Sequence, residues 1–406
     1  MSISIIIEIV DLLLWLIIAA NVLYVLFFAL ASLLPKRKHL TSSISHLPSY
    51  IILFPAYKED AVILHSVKTF LQQDYPKERY QVVVISDNMS RETNEQLSNL
   101  PITLLQPEIE KSSKAKALQY AISYILHQPS AIYDYVVILD ADNIVATDFL
   151  SQLSCIANPD IAIQCHRTAK NNDNDIAALD GLSEEINNSI FRKGHNRIGM
   201  SSALIGSGMC FNYEWFKENV MHLDSAVEDR ELEALLMKQG IYIRYAEDIY
   251  VMDEKVSNDD NFQRQRLRWM TGQVQALYRM LPYVPQAIIA ANINYIDKTI
   301  QQALIPRSIL LVLTSLLALL SLLASYIFTL PSYIIHLPLY IIHIKWWSLL
   351  AILMVALLIA IPTPLRSTAL LRKILSFPQL VWKMTKNIFH IKPKSKEFIH
   401  TSHHQL

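Results

Sequence analysis

At 406 residues the chain has room for one large domain or two medium ones. Lys plus Arg and Asp plus Glu balance at 36 each, so no global field exists to attract nucleic acid or a strongly charged partner. Cys155, Cys165 and Cys210 stand far apart with no Cys-x-x-Cys spacing, which argues against a disulfide framework or zinc site and for a reducing compartment.

The first element is apolar. Leu12 to Leu34 carries no charge, and at ~1.5 Å per residue it can cross a ~30 Å hydrocarbon core. Glu8 and Asp11 precede it, while Lys36, Arg37 and Lys38 follow. A signal peptide would show the reverse flank and a small-residue cleavage site. The positive-inside rule places the N-terminus outside and the chain after Pro35 in the cytoplasm.

From Leu40 to about Tyr295 the pattern changes. "YIILFPAY", "YQVVVISDN" and "YVVILDADN" are short β-rich runs ending in polar residues, with helix-like stretches at Asp60 to Gln73 and Lys114 to Ile125 between them. That alternation predicts an α/β fold, a doubly wound and mostly parallel sheet covered on both faces. Ligands of such sheets bind beyond the carboxyl ends of the strands, where Tyr57, Glu59, Asp87, Asp140 and Asp142 would meet. The chain has only 7 glycines, the first being Gly181, so a glycine-rich dinucleotide loop or P-loop is excluded from this half. Asp140 and Asp142, one residue apart, read equally as a strand-ending turn or as a pair needing a cation between them. Lys114 opens the helix behind them, within reach of a phosphate at the same rim.

Further on, Gly206 and Gly208 flank Ser207 inside an apolar run, marking a bend or a close approach. In "SAVEDRELEALLMKQG", Ser225 reads as an N-cap and Glu228 as its capping-box partner, with Asp229 in the first helical turn. "RQRLRWMTGQ" sets Gln265, Arg268 and Trp269 on one helix face, with Arg264 and Arg266 pointing elsewhere. Uncharged runs at Ile309 to Leu330 and Trp346 to Leu365 give two further spans, and a Lys/Arg-rich tail follows. Three crossings return the C-terminus to the cytoplasm. Pro331 to Ile344 reads as a short external or interfacial segment. The tail, which interleaves cations with Leu, Phe, Trp and Ile, suits a helix lying on anionic lipid.

In this order the motifs resemble the membrane-bound family 2 glycosyltransferases, the group of the cellulose, chitin and hyaluronan synthases. The resemblance covers Tyr50 to Gln273 and the flanking helices. It rests on "PAYKED", Asp87 in "ISDN", Lys114 with Ala117 and Leu118, "DAD", Gly206 to Met209, "VEDRE", and Gln265-x-x-Arg268-Trp269. Ser86 and Val227 depart from it, standing where many members carry Asp and Thr. It implies a type A glycosyltransferase domain at 45–275 between a helix at 1–38, an interfacial segment at 276–306, two spans at 307–365 and a tail at 366–406. It further implies a UDP- or GDP-sugar donor, Mg²⁺ or Mn²⁺, inversion at the anomeric carbon, and a glycan or lipid acceptor.

In these terms Asp140 and Asp142 would hold the metal, with Asp140 also beside the nucleotide-sugar. Arg268, Gln265 and Lys114 would meet the diphosphate, and Tyr57, Glu59 and Asp87 the nucleoside. Gly206, Ser207, Gly208 and Trp269 would position the acceptor. Asp229, beside Glu228, would take its proton. Within this reading a polymer-extending synthase competes with a single-addition enzyme acting on a lipid. Three spans make a thin channel wall, which calls for oligomers or an export partner, whereas Leu281 to Thr299 resembles the amphipathic ramp beside such channels. A non-catalytic scaffold and a nucleotidyltransferase are the rivals from other classes.

Overall fold

The computed structural model describes residues 3–37, 46–128, 132–171, 175–225, 227–255, 259–328 and 336–366. The chain opens with α1 (Ile3–Ala31) and enters an α/β unit through β1 (Tyr50–Tyr57), α2 (Ile63–Phe70), β2 (Tyr80–Asp87), α3 (Arg91–Ser98), β3 (Thr103–Leu105), α4 (Lys114–Leu126) and β4 (Tyr135–Ile138). It continues through β5 (Ile144–Val145), α5 (Phe149–Ile156) and β6 (Ile161–Ala169). Next comes α6 (Asp175–Asn187), which runs into a π-helical turn (Asn188–Gly194) and α7 (His195–Arg197). β7 (Met209–Asn212), α8 (Tyr213–Asn219), α9 (Glu228–Lys238) and β8 (Tyr242–Asp253) complete the sheet. The remaining elements are all helical: α10 (Asp259–Met280), α11 (Val284–Ile289), α12 (Ile293–Ala303), α13 (Arg307–Phe328) and α14 (His336–Ala360).

Eight strands form one sheet in the order β3-β2-β1-β4-β7-β6-β8-β5. Successive residues of a strand point to opposite faces. Ile51, Leu53, Val83 and Val136 accordingly pack against α4, α8 and α9, while Ile52, Phe54, Val82 and Val137 pack against α2 and α5. The half β3-β2-β1-β4 is parallel, as expected. The other half is mixed: β7 runs antiparallel to both β4 and β6 and β5 antiparallel to β8, while β6 and β8 pair in parallel, so four of the seven pairings are parallel. The reversal matters for the site. Met209 pairs with Ile138, so the start of β7 lies at the finish of β4 and brings Gly206 beside Asp140.

A third cluster joins Ile18, Val22 and Phe28 of α1 to Leu310 of α13 and to Trp346, Leu349 and Leu353 of α14. Among the described residues α1 alone is long and apolar enough to cross a bilayer by itself. α12 and α13 pass only as a pair bent by 58°, and the apolar part of α14, Ile344–Ala360, is shorter. Three separate crossings are therefore not shown. Residues 336–344, read as part of a short external or interfacial segment, are helical and open α14, and Pro338 falls in its first turn, where no intrahelical N–H bond is lost. The segment 331–335 and the basic tail 367–406 lie outside the described residues.

Candidate active site

β1 and β2 end in register, Tyr57 opposite Asp87, and Leu139 N–H still bonds Leu53 O at 3.1 Å. β4 stops opposite Leu53, four residues short of Tyr57, and the polar residues that follow the three strands share one edge. Tyr57, Glu59, Asp87, Lys114, Asp140 and Asp142 line a cavity of 530 Å³ there, and Gly206, Glu228, Asp229, Gln265, Arg268 and Trp269 line it from the opposite side. Twelve of the fourteen residues singled out in the sequence thus face one space. Ser207 and Gly208 do not. Ser207 is fully buried and its hydroxyl bonds Asn143 Oδ1, which also accepts from Asp140 N–H at 2.9 Å, so it braces the carboxylate loop from behind. Gly208 sits within the sheet, donating to Ile138 O and accepting from Cys165 N–H.

Lys114 is the centre of charge. Ser113 caps α4 by accepting from Lys116 N–H at 3.2 Å, which fixes Lys114 as the first helical residue. Its ammonium donates to Asp140 Oδ1 and to Gly206 O, each at 2.5 Å, and lies 3.4 Å from Glu228 Oε1. Gly206 has φ +84, a region that costs other residues strain, and a Cβ there would lie 3.6 Å from Asp229 Oδ2 and 3.8 Å from Glu228 Oε1. Burial works against the Lys114 charge, but Asp140 and then Glu228 outweigh it and raise the lysine's proton affinity. The carboxylates feel the converse. Burial, opposed by Lys114 and reinforced by Asp229 and Asp140, pushes Glu228 up to about 7. Burial likewise lowers the proton affinity of Arg268, against the pull of Glu228, Asp140 and Asp229.

The start of α9 corrects the capping-box expectation. Helix α9 begins at Glu228 with Val227 at the N-cap, and the Ser225 hydroxyl accepts only from Val227 N–H, at 3.2 Å. Glu231 is the residue that reaches back, accepting from Asp224 and Ser225 N–H at 2.9 and 3.0 Å. Glu228 is therefore released from capping and turns into the cavity. α10 presses against this turn through Gly272, where a Cβ would come within 2.3 Å of Val227 Cγ1. That close approach delivers Gln265, Arg268 and Trp269 to the same cavity as Glu228 and Asp229.

Two features escaped the sequence reading. Arg266 does not point elsewhere: its guanidinium stacks 4.9 Å from the Phe262 ring centre and 4.6 Å from that of Trp269, and it pairs with Asp180. The i, i+3 spacing of Arg266 and Trp269 was the available signal. The second is a buried network along the same wall. Glu184 receives Arg167 at 3.0 Å, Arg192 at 3.2 Å and Lys255 at 3.7 Å, and Asp253 joins Arg167 and Lys255 at 3.4 and 2.9 Å. These residues are scattered from β6 to the end of β8, and no local spacing links them.

The donor chemistry at Asp140 and Asp142 fits a hard divalent cation. Asp142 accepts from Glu254 N–H at 2.7 Å and from Asn143 Nδ2 at 3.1 Å, which hold its carboxylate beside Asp140 at the cavity, and carboxylate oxygens are the ligands such a cation prefers. Among the described residues no cluster of three or more His, Cys, Asp or Glu forms a cage made by protein alone. An ion here would take its other ligands from substrate phosphates or water, as Mg²⁺ commonly does.

Comparison with known proteins agrees with this architecture. Residues 51–218 match the model of glycosyl transferase family 2, and residues 135–361 match glycosyl transferase family group 2. The probable glycosyltransferase YdaM of Bacillus subtilis (strain 168) is 26% identical over 108 residues, 25% of this chain and 24% of its own length. The match thus spans about a quarter of that relative. Among solved structures, the mannosyltransferase PcManGT from Pyrobaculum calidifontis, in complex with GDP-Man and Mn²⁺, superposes with a TM-score of 0.52 at 18% identity, over 86% of this chain and 98% of its own. Glucosyl-3-phosphoglycerate synthase from Mycobacterium tuberculosis matches with a TM-score of 0.38 at 15% identity, over 55% of this chain and 79% of its own. The second family model alone spans more than half the chain, and the protein belongs to glycosyl transferase family group 2.

Proposed function

We propose that the protein is an inverting, divalent-metal-dependent glycosyltransferase of the membrane-bound, synthase-like kind, moving a sugar from a UDP- or GDP-sugar to a glycan or lipid-linked acceptor. The observation that carries this reading is the convergence of Lys114, Asp140, Asp142, Glu228, Asp229 and Arg268 on one cavity from four separate parts of the chain. Tyr57, Glu59 and Asp87 stand at its nucleoside end, on the ends of β1 and β2. A Mg²⁺ or Mn²⁺ ion held by Asp140 and Asp142 would supply charge neutralisation at the diphosphate. The Pyrobaculum calidifontis mannosyltransferase, solved with GDP-Man and Mn²⁺, supports that choice.

In the transfer, the acceptor oxygen forms a bond to the anomeric carbon as the bond from that carbon to the diphosphate oxygen breaks. Asp229, in the first turn of α9, takes the acceptor proton. Arg268 and Lys114 meet the charge that grows on the departing diphosphate. Trp269, with Arg266 stacked on its ring, offers a firm apolar face for a sugar. Glu228, pushed up to about 7 by burial, carries less than a full negative charge near neutral pH.

The same cavity is walled on another side by Asn21 and Val25 of α1, Leu311 of α13, and Met354, Leu357 and Ile361 at α14. That apolar wall supports an acceptor that arrives along the membrane helices, as a lipid-linked sugar or a glycan leaving through the bundle. Asp11, near the start of α1, pairs with Lys345 and accepts from Trp346 Nε1 at 2.9 Å. Further along both helices, Asn21 and Val25 meet the same cavity as Met354 and Leu357, so α1 and α14 run in the same direction, which fits three crossings with the N-terminus outside. Exposed Ile288, Ile289 and Ile293 on α11 and α12 fit an interfacial ramp at the inner leaflet. In the purified protein, labelled donor should yield product only with Mg²⁺ or Mn²⁺. A ladder of products would identify a polymerase and a single band a lipid-directed enzyme. Release of pyrophosphate instead of a nucleoside diphosphate would refute both.

A further inference from the structure

A second cavity, of 230 Å³, shares no lining residue with the catalytic one. It lies where the chain leaves α1. Its walls come from the residues following that helix, the end of α5, the π-helical turn with α7, and the irregularity in β8. That irregularity falls where the partners of Cys165 and His166 jump from Ala246 to Tyr250. Lys36, Arg37, Lys193, Arg197 and Arg244 line it against two carboxylates, Glu247 and Asp248, an excess of three positive charges in a chain whose net charge is zero.

The carboxylates are already committed. Arg197 Nη2 donates to both oxygens of Glu247 at 2.9 and 2.8 Å, and Lys36 and Lys193 stand 3.5 and 3.8 Å from it. Asp248 pairs with Lys36 and is otherwise open to solvent. Neither Arg37 nor Arg244 has a carboxylate within ion-pair distance among the described residues. Arg37 is nonetheless held in place, because its Nη1 packs over Gly199, so closely that a Cβ there would be 1.8 Å away. Arg244 is partly buried, and burial lowers its proton affinity, with Tyr242 the opposing group. Both guanidinium groups line the one cavity, and Tyr242 feels the charge of each. Planar N–H forks of this kind match the oxygens of a phosphate.

We propose that this cavity binds a phosphate-type anion, on an anionic lipid headgroup or as free phosphate, through Arg37 and Arg244 with Lys36 and Lys193 at its rim. The position suits a headgroup. Leu33 and Leu34 just before it are exposed and apolar, so the cavity opens at the end of the lipid-compatible stretch of α1. This site is independent of the sugar-transfer reading.

The test uses the full-length protein in neutral detergent, melted with inorganic phosphate, with short-chain phosphatidylglycerol, or with sodium chloride at matched ionic strength. At least one phosphate compound should raise the melting point above the salt control. The double variant R37Q/R244Q should need about tenfold more of it for the same shift. A response to phosphatidylglycerol alone identifies a headgroup as the source, and a response to free phosphate identifies the soluble anion. No response to either, or an equal response in the double variant, overturns the proposal. Hydrogen exchange on the wild-type protein gives a check that needs no variant. The effective compound should protect residues 193–199 and 242–249, and exchange unchanged there would also overturn it.

Discussion

Two buried charge clusters share one wall of this protein, and they are built on opposite terms. Around Glu184, three cations surround one carboxylate and Asp253 adds a second, so every charge has an opposite neighbour. Burial would favour a neutral Glu184, yet Arg167, Lys255 and Arg192 overcome it and hold the group well below the usual carboxylate range. Around Lys114 the balance is reversed. One ammonium and the Arg268 guanidinium face Asp140, Glu228 and Asp229, and burial, opposed by Lys114 and reinforced by Asp229 and Asp140, pushes Glu228 up to about 7. The first cluster is complete as it stands. The second is arranged for cationic or proton-bearing partners that arrive with substrate, and that difference separates scaffold from chemistry.

The comparison can be broken in four ways, taken here from the largest effect to the smallest. Asp229→Asn should cut turnover by about 10²–10⁴-fold while leaving donor binding and the melting point near wild type. Turnover close to normal in a labelled-donor assay would remove Asp229 from the role of base. Glu184→Ala should instead cost about 3–5 kcal/mol of stability, since it strands Arg167, Arg192 and Lys255 without their shared carboxylate. Urea unfolding measures this, and a loss under 1 kcal/mol would show that the cluster is no scaffold.

The third concerns pH. The folded state raises the pKa of Glu228, so between the unfolded value of 4.5 and the folded value of about 7 the folded protein binds more protons than the unfolded one. This group's contribution is therefore greatest below 4.5 and is lost as pH rises through 7, a change of about 3 kcal/mol. In metal-free protein, Glu228→Gln should flatten the fall in stability from pH 5 to pH 8. An unchanged slope would assign that fall to other groups. The last is steric. Gly272→Ala drives a methyl into Val227 and should cost about 1–3 kcal/mol, recovered in part by Val227→Ala. Two additive penalties would mean that α9 and α10 do not meet there.

Sequence carried β1, β2 and β4 because each is an unbroken β-rich run, and pleating alone sorts Ile51 and Ile52 to opposite faces, whereas the three-residue edge strand β3 was not read. The antiparallel course of β7 was hidden, since it has only 4 residues and nothing local tells which way it runs. Of the site, the carboxylates and Arg268 were readable from short motifs. Arg167, Glu184 and Lys255 were not, because their pairing depends on tertiary placement alone. Glu228 shows the subtler failure. A first-turn Glu three residues after a Ser is an ordinary capping signal, but Glu231 took that duty.

The most direct measurement is the melting of the purified protein across a panel of UDP- and GDP-sugars, with Mn²⁺ and with a chelator. One nucleotide-sugar at about 100 times its Kd should stabilise the wild type by about 2.7 kcal/mol with metal present. That stabilisation should vanish with the chelator and in Asp142→Ala. If no donor shifts the melting point, or if the shift survives both the chelator and the loss of Asp142, the carboxylates at the end of β4 serve some purpose other than holding a metal against a nucleotide-sugar.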